Sequence, residues 1–154
     1  MDAKVSWQKD LNFVGAADSG YQVKVASHSG PEEGVGPMEM VAIAMAGCTA
    51  MDVISILQKK QQKVTSFDVK VHADRAADHP KVFTSAVLEY VVAGHGVDEA
   101  AVLRAIELSV TKYCSVHAMV RKAFPIETRY SIYEDEGSGK QKLVKQGTFQ
   151  HDEH

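Results

Sequence analysis

Cysteine is scarce in this sequence, and no arginine precedes residue 75. The chain of 154 residues contains two cysteines and one tryptophan, and its first arginine is Arg75. Two cysteines are too few for the disulfide framework of a small secreted protein. The opening segment, MDAKVSWQKD, has no apolar run of the kind that a signal peptide needs. We therefore predict a cytoplasmic location.

The sequence also lacks an excess of charge of one sign. Its formal net charge is −3, and acidic and basic residues are mixed along the chain. No basic patch of the kind that binds nucleic acid is present, so we predict no nucleic-acid partner. A content of 45% hydrophobic and 24% charged residues is typical of a globular protein. The length predicts a single domain over residues 1–154, with residues 136–154 as a polar C-terminal extension.

A hydrophobic run long enough to span a bilayer is missing as well. The longest apolar or small run, Met40 to Met51, has about half of the roughly 20 residues that a span requires. We therefore predict no membrane segment. Instead, the pattern from about Pro37 to Lys60 predicts a helix that is apolar on every face and therefore buried. Cys48 lies at its centre.

Strand patterns precede and follow this helix. Three short segments predict an antiparallel meander before it, and two long alternating segments predict a half-buried hairpin after it. An amphipathic helix with Asp98 as its N-cap, a short helix from Cys114 and one or two further strands complete the order. Runs of strands broken by helices, without regular alternation, indicate an α+β domain. The predicted strands are residues 4–8, 12–16, 21–27, 66–75, 81–93, 126–134 and 143–149, and the amphipathic helix is 99–110.

The surroundings of each cysteine leave two interpretations open. Cys114 is expected in the first turn of a helix, where backbone N–H groups stabilise a thiolate, and His117 falls on the same face. The alternative is an ordinary helix start with a half-exposed imidazole. For Cys48, an apolar setting and the nearby Asp52 are expected to raise the pKa, and a lone buried cysteine is usually a small hydrophobic residue. Chemistry alone therefore does not make Cys48 reactive.

Two segments, PMEMVAIAMAGCTAMD and KYCSVHAMV, resemble the OsmC/Ohr family of hydroperoxide-detoxifying proteins, in its OsmC-like branch. The resemblance covers residues 36–123. It implies an OsmC-like fold, with antiparallel sheets packed around a central buried helix, in an intertwined homodimer. It also implies oxidative stress defence without a cofactor: Cys48 attacks an organic hydroperoxide, Cys114 resolves the product as a disulfide, and a dithiol reductant restores both thiols.

The sequence departs from the family at the group that activates the first cysteine. Peroxidatic members use an arginine held by a glutamate, but no arginine precedes Cys48 here. Glu39 matches the glutamate of the OsmC-like branch, and His28 is the nearest upstream residue that could replace the arginine. The alternative function is a non-peroxidatic module that holds a small apolar ligand in a Met-lined pocket or senses oxidants.

The histidines of the C-terminal tail provide the remaining candidate for chemistry. His151 and His154 have a spacing that could bind a divalent metal, but a charged terminal tail is usually solvated. The other histidines show no metal-binding spacing. We therefore predict no metal site from the sequence.

Overall fold

The computed structural model describes residues 1–27 and 33–151, and over these residues the chain forms strands and α-helices in an α+β arrangement. This confirms the predicted fold class. The chain divides into two compact units, Met1–Ile43 and Ala44–His154. The assignment of the whole chain to a single domain stays a prediction.

The first unit contains a three-stranded sheet. Strands β1 (Ala3–Lys9), β2 (Asn12–Ala17) and β3 (Gln22–Ala26) pair antiparallel in that order, which confirms the predicted meander. The turn after β1 places Asp10 at a φ of 47°. Its backbone carbonyl accepts a hydrogen bond from the indole N–H of Trp7 at 2.9 Å, which ties the turn to the strand.

Helix α1 (Pro37–Lys59) begins and ends with residues suited to those positions. Pro37 occupies the first turn, where a missing N–H breaks no intrahelical hydrogen bond. Oε1 of Glu39 accepts a hydrogen bond from the backbone N–H of Gly36 at 3.0 Å, as the third residue of a capping box does. Lys59 places a positive charge in the last turn, next to the unpaired carbonyl groups.

Within a single chain, helix α1 is buried along one stripe only. The expectation that it is buried on every face is therefore wrong for the single chain. Val41, Ile43 and Met51 are 37%, 60% and 73% exposed. Although no uninterrupted apolar run in α1 is long enough to span a bilayer, the whole helix meets that requirement by length and composition. The core helix of a soluble protein can meet it as well, so hydrophobicity alone does not decide the surroundings of α1. The buried positions recur every four residues, which places them on one face: Met45, Thr49, Val53 and Leu57.

The second unit is built on a four-stranded sheet in the order β4 (Lys63–Arg75), β5 (Phe83–His95), β6 (Ile126–Gly137) and β7 (Lys140–Phe149). Strands β4 and β5 form the predicted antiparallel hairpin. Strands β5 and β6 are parallel, which corrects the expectation of wholly antiparallel sheets. The long helical connection between them returns the chain in the same direction. Strand β7 lies within the predicted C-terminal extension and pairs antiparallel with β6.

The connection from β5 to β6 contains α2 (Glu99–Leu108), a π-helical turn (Ser109–Tyr113) and α3 (Ser115–Val120). Oδ1 of Asp98 accepts a hydrogen bond from the N–H of Ala100 at 3.1 Å, which confirms the predicted N-cap. The amphipathic helix was expected to run to residue 110. It changes instead to the π-helical turn, which leads directly into the second cysteine.

One hydrophobic core joins α1, α2, β5 and β6. Strand β4 covers part of this core with one face and turns its other face to solvent, so the hairpin is half-buried as predicted. This packing places the middle of α1 beside the start of α3. The most buried members of the core are Val53, Leu57, Leu88, Tyr90, Val92, Val102, Ala105, Ile106 and Ile132.

Candidate active site

The two cysteines meet where the middle of α1 faces the residue before α3. Cys48 is half-buried on α1, and Cys114 is buried. Their sulfur atoms and a carboxylate oxygen of Asp52 all lie within 4.8 Å of one another. Asp52 follows Cys48 by one helical turn and therefore projects from the same face. The fold thus brings together three of the predicted site residues.

Cys114 is the N-cap of α3 rather than a residue of its first turn. Its sulfur accepts a hydrogen bond from the backbone N–H of His117 at 3.3 Å. Its own N–H donates to the carbonyl of Ser109 at 2.8 Å, which closes the π-helical turn. Both the backbone and the side chain of Cys114 are therefore fixed by local hydrogen bonds.

His117 meets Cys114 through its backbone, whereas the sequence suggested a contact through the imidazole. Among the described residues, its buried Nδ1 atom has no hydrogen-bond partner. Burial lowers the pKa of His117, and the charge of Arg121 lowers it further. The imidazole is therefore neutral at pH 7.

The two thiols have opposite acidities. Burial raises the pKa of Cys48, but hydrogen bonds from the Cys114 thiol, the backbone N–H of Val116 and the Ser115 hydroxyl outweigh it and lower the pKa overall. Burial, together with the hydrogen bond to Cys48, raises the pKa of Cys114 to about 12. The pair is therefore asymmetric: the pKa of Cys48 is lowered, and that of Cys114, which donates a hydrogen bond to Cys48, is raised. This corrects the expectation that the apolar helix would leave the pKa of Cys48 raised.

A chain of buried hydroxyl groups ends at Asp52. The Tyr90 hydroxyl lies 2.7 Å from Oγ1 of Thr49, which lies 2.7 Å from Oγ of Ser109, and Ser109 donates to Oδ2 of Asp52 at 2.9 Å. Each hydroxyl has one proton, and that of Ser109 is given to Asp52. Thr49 must then donate to Ser109, and Tyr90 must donate to Thr49. The hydrogen bonds therefore run in one direction, from Tyr90 to the carboxylate.

These three hydroxyl residues were not identified from the sequence. Thr49, Tyr90 and Ser109 are fully buried, and burial raises the pKa of Tyr90 to about 12. The available signal was a polar residue at an otherwise apolar position, as with Thr49 in α1, because a buried hydroxyl requires a partner. Ser109 links the two cysteine segments, since its carbonyl binds the N–H of Cys114 and its hydroxyl binds Asp52.

The remaining residues considered from the sequence are Glu39, His28 and the histidines of the tail. Glu39 contributes its capping contact within the first unit, whereas both sulfurs belong to the second. His28 and His154 fall outside the described residues. His151 is described and exposed.

Arg75, Arg104 and Arg129 each form a hydrogen bond or an ion pair with a neighbouring residue. None of these three arginines is among the groups that lower the pKa of Cys48. The groups that lower the pKa of Cys48 are instead the Cys114 thiol, the Val116 backbone and the Ser115 side chain. The partners of the three arginines are the Lys81 carbonyl for Arg75, at 2.9 Å, Glu107 for Arg104, at 2.8 Å, and Glu127 for Arg129, at 2.7 Å.

A groove of about 520 Å³ opens beside Asp52. Met51 contributes to it and is 73% exposed. Four of its eight lining residues are charged or polar, namely Asp52, a serine and two lysines, and the other four supply apolar surface, so the groove suits a small molecule with both an apolar body and a polar group. The other lining residues are Ser55, Ile56, Lys59, Lys60, Leu108 and Tyr113.

Comparison with known proteins assigns the chain to a family. Residues 30–129 match the family model for OsmC-like proteins. Protein YhfA of Escherichia coli K12 is 42% identical over 132 residues, which cover 86% of this chain and 98% of YhfA.

Solved structures agree with this assignment. A hypothetical protein from Aquifex aeolicus VF5 has 27% identity and a TM-score of 0.78, over 88% of this chain and 97% of that one. A Legionella pneumophila protein has 16% identity and a TM-score of 0.59, over 85% of this chain and 94% of that one. It is described as an organic hydroperoxide resistance protein OsmC, a predicted redox protein and a regulator of sulfide bond formation. The chain studied here belongs to the OsmC-like protein family.

Proposed function

We propose that this protein reduces organic hydroperoxides through Cys48 and Cys114, at the expense of a dithiol reductant. One observation carries the proposal: the two sulfurs lie within 4.8 Å of each other in unlike surroundings. One sulfur is half-exposed and accepts hydrogen bonds, and the other is buried and donates one. Attack and resolution in a thiol peroxidase require this division of roles.

In the first step, the Cys48 thiolate attacks the terminal oxygen of the hydroperoxide. The O–O bond breaks, Cys48 becomes a sulfenic acid, and the alkoxide leaves and takes a proton to become an alcohol. The backbone N–H of Val116 and the Ser115 hydroxyl, which lies 4.0 Å from the Cys48 sulfur, stabilise the thiolate in place of the family arginine.

In the second step, the Cys114 sulfur attacks the sulfenic sulfur of Cys48. The S–O bond breaks, the thiol proton and the sulfenic hydroxyl leave as water, and a disulfide forms. The two sulfurs, which lie within 4.8 Å of each other, must close to about 2.05 Å for this bond to form. A dithiol then reduces the disulfide and becomes oxidised itself.

We extend this proposal to a homodimer. The exposed apolar residues of α1 are the part of the described chain where the expected partner subunit would pack, and the family resemblance suggests such a dimer. Val41, Ile43 and Met51 would then be buried by the second copy.

The groove beside Asp52 favours a second candidate function, the binding of a small apolar ligand without turnover. Its apolar surface and nearby lysines suit an amphiphile with an acidic group. The two functions differ in what Cys48 does, since binding alone leaves its sulfur unchanged.

Consumption of cumene hydroperoxide with a dithiol present tests the first function. We expect the wild-type protein to consume peroxide catalytically and Cys48→Ser to fall to the background rate. Ser131→Ala is the matched control, because it removes a buried hydroxyl from β6 without touching the site. Absence of consumption of both cumene hydroperoxide and hydrogen peroxide by a folded wild-type protein would overturn the enzymatic function.

A further inference from the structure

We propose that Cys48, Asp52 and Cys114 form a binding site for Zn²⁺ when both thiols are reduced. This activity goes beyond peroxide reduction and does not depend on it. The three ligand atoms lie within 4.8 Å of one another. Two sulfurs bound to one tetrahedral zinc ion at about 2.3 Å are about 3.7 Å apart, so small side-chain movements suffice.

Two segments of the chain supply the ligands. Cys48 and Asp52 are one turn apart on α1, the same spacing that pairs two metal ligands on one helix face in many zinc enzymes. Cys114 approaches from the opposite side as the N-cap of α3. Ligands from both sides can surround an ion, which a single helix face cannot do.

Groups behind the ligands already hold two of them in place. Ser109 donates to Oδ2 of Asp52 at 2.9 Å, and the buried chain from Tyr90 through Thr49 fixes the Ser109 hydroxyl in turn. The backbone N–H of His117 holds the Cys114 sulfur. Such outer hydrogen bonds orient ligands in metal sites and strengthen binding.

The chemistry and access of the site favour zinc over harder cations. Two thiolates and one carboxylate suit Zn²⁺, whereas Mg²⁺ and Ca²⁺ prefer oxygen ligands alone. Cys48 and Asp52 are half-buried, so an ion can enter and a water molecule can occupy the fourth position. Each cysteine loses its proton as it binds.

Zinc binding and the disulfide use the same sulfurs and exclude each other, and this consequence rests on the proposed function. One hydrogen peroxide and two protons convert the two bound thiolates into a disulfide and two water molecules. The ion then loses both sulfur ligands and is released.

Titration of the reduced full-length protein with Zn²⁺ against a chromophoric chelator tests the site. We expect one Zn²⁺ per chain, an affinity at least ~10-fold weaker in Asp52→Asn, and a larger loss in Cys48→Ser and Cys114→Ser. Asp74→Asn is the matched control, because Asp74 lies on β4 and contacts His72 and Ser85. Circular dichroism of each variant establishes that it is folded.

The zinc site would be overturned by the absence of stoichiometric binding to the reduced wild-type protein, or by unchanged affinity in folded Cys48→Ser and Asp52→Asn. Loss of the bound ion in His151→Ala would also overturn it, because the tail would then be the ligand. Zinc binding is measured without peroxide, and peroxide consumption is measured with a chelator. A protein that binds Zn²⁺ through the three residues but consumes no peroxide would therefore retain this site and lose the proposed function.

Discussion

The segments that carry Cys48 and Cys114 differ in where each cysteine finds its hydrogen-bond donors. Cys48 sits in the middle of a long helix, where its own backbone offers no free donor, and its hydrogen bonds come from the other segment. Cys114 caps a short helix and has local donors, yet burial keeps its pKa high. The reactivity of a cysteine here therefore depends on the groups that face it across the site rather than on the helix that carries it.

The largest expected difference between the segments is in alkylation rate. At neutral pH, with a chelator present, iodoacetamide should label Cys48 roughly 100-fold faster than Cys114, because thiolate is the reactive form. Because the pKa of Cys48 is lowered and that of Cys114 is raised, the labelling rate of Cys48 should level off at a lower pH than that of Cys114. Peptide mass spectrometry at several pH values measures both rates. Equal rates would remove the distinction between the two cysteines.

A smaller effect is expected from the hydroxyl chain that joins the segments. Tyr90→Phe leaves the buried Thr49 hydroxyl without its donor and should lower the free energy of unfolding by about 1–3 kcal/mol. Tyr130→Phe is the matched control, because Tyr130 pairs with Tyr90 across β5 and β6. Its hydroxyl donates to the half-buried Glu99, which water can reach in its place.

Urea unfolding of the two variants measures this difference. We expect Tyr90→Phe to be the less stable by about 1 kcal/mol. If Tyr130→Phe is equally or more destabilised, the chain from Tyr90 to Asp52 contributes no special stability.

Much of the fold could be predicted from periodicity. The meander, the β4–β5 hairpin and the Asp98 cap depend on local pattern, and all three are present. The parallel pairing of β5 with β6 depends on how a long connection folds back, which no local pattern records. Likewise, the hydrophobicity of α1 indicates that its surface must be buried. It does not indicate which faces of the helix are buried by the same chain.

The candidate site was only partly visible in the sequence. Cys48 and Cys114 emerged through the family resemblance, and Asp52 was placed beside Cys48 by helical spacing. Ser109 and Tyr90 could not be identified as site residues from the sequence, because hydrogen bonds between distant segments follow from the packed structure. The direction of the pKa shift at Cys48 was wrong for the same reason, since its donors Ser115 and Val116 belong to another segment.

Trapping of the sulfenic acid tests most directly whether Cys48 attacks and Cys114 resolves. Cys114→Ser and Cys48→Ser are each treated with one equivalent of cumene hydroperoxide and a sulfenic-acid probe, and the labelled peptide is identified by mass spectrometry. We predict stoichiometric labelling of Cys48 in Cys114→Ser and no labelling of Cys114 in Cys48→Ser. Labelling of Cys114 alone, or of neither cysteine in folded protein, would contradict the assigned roles.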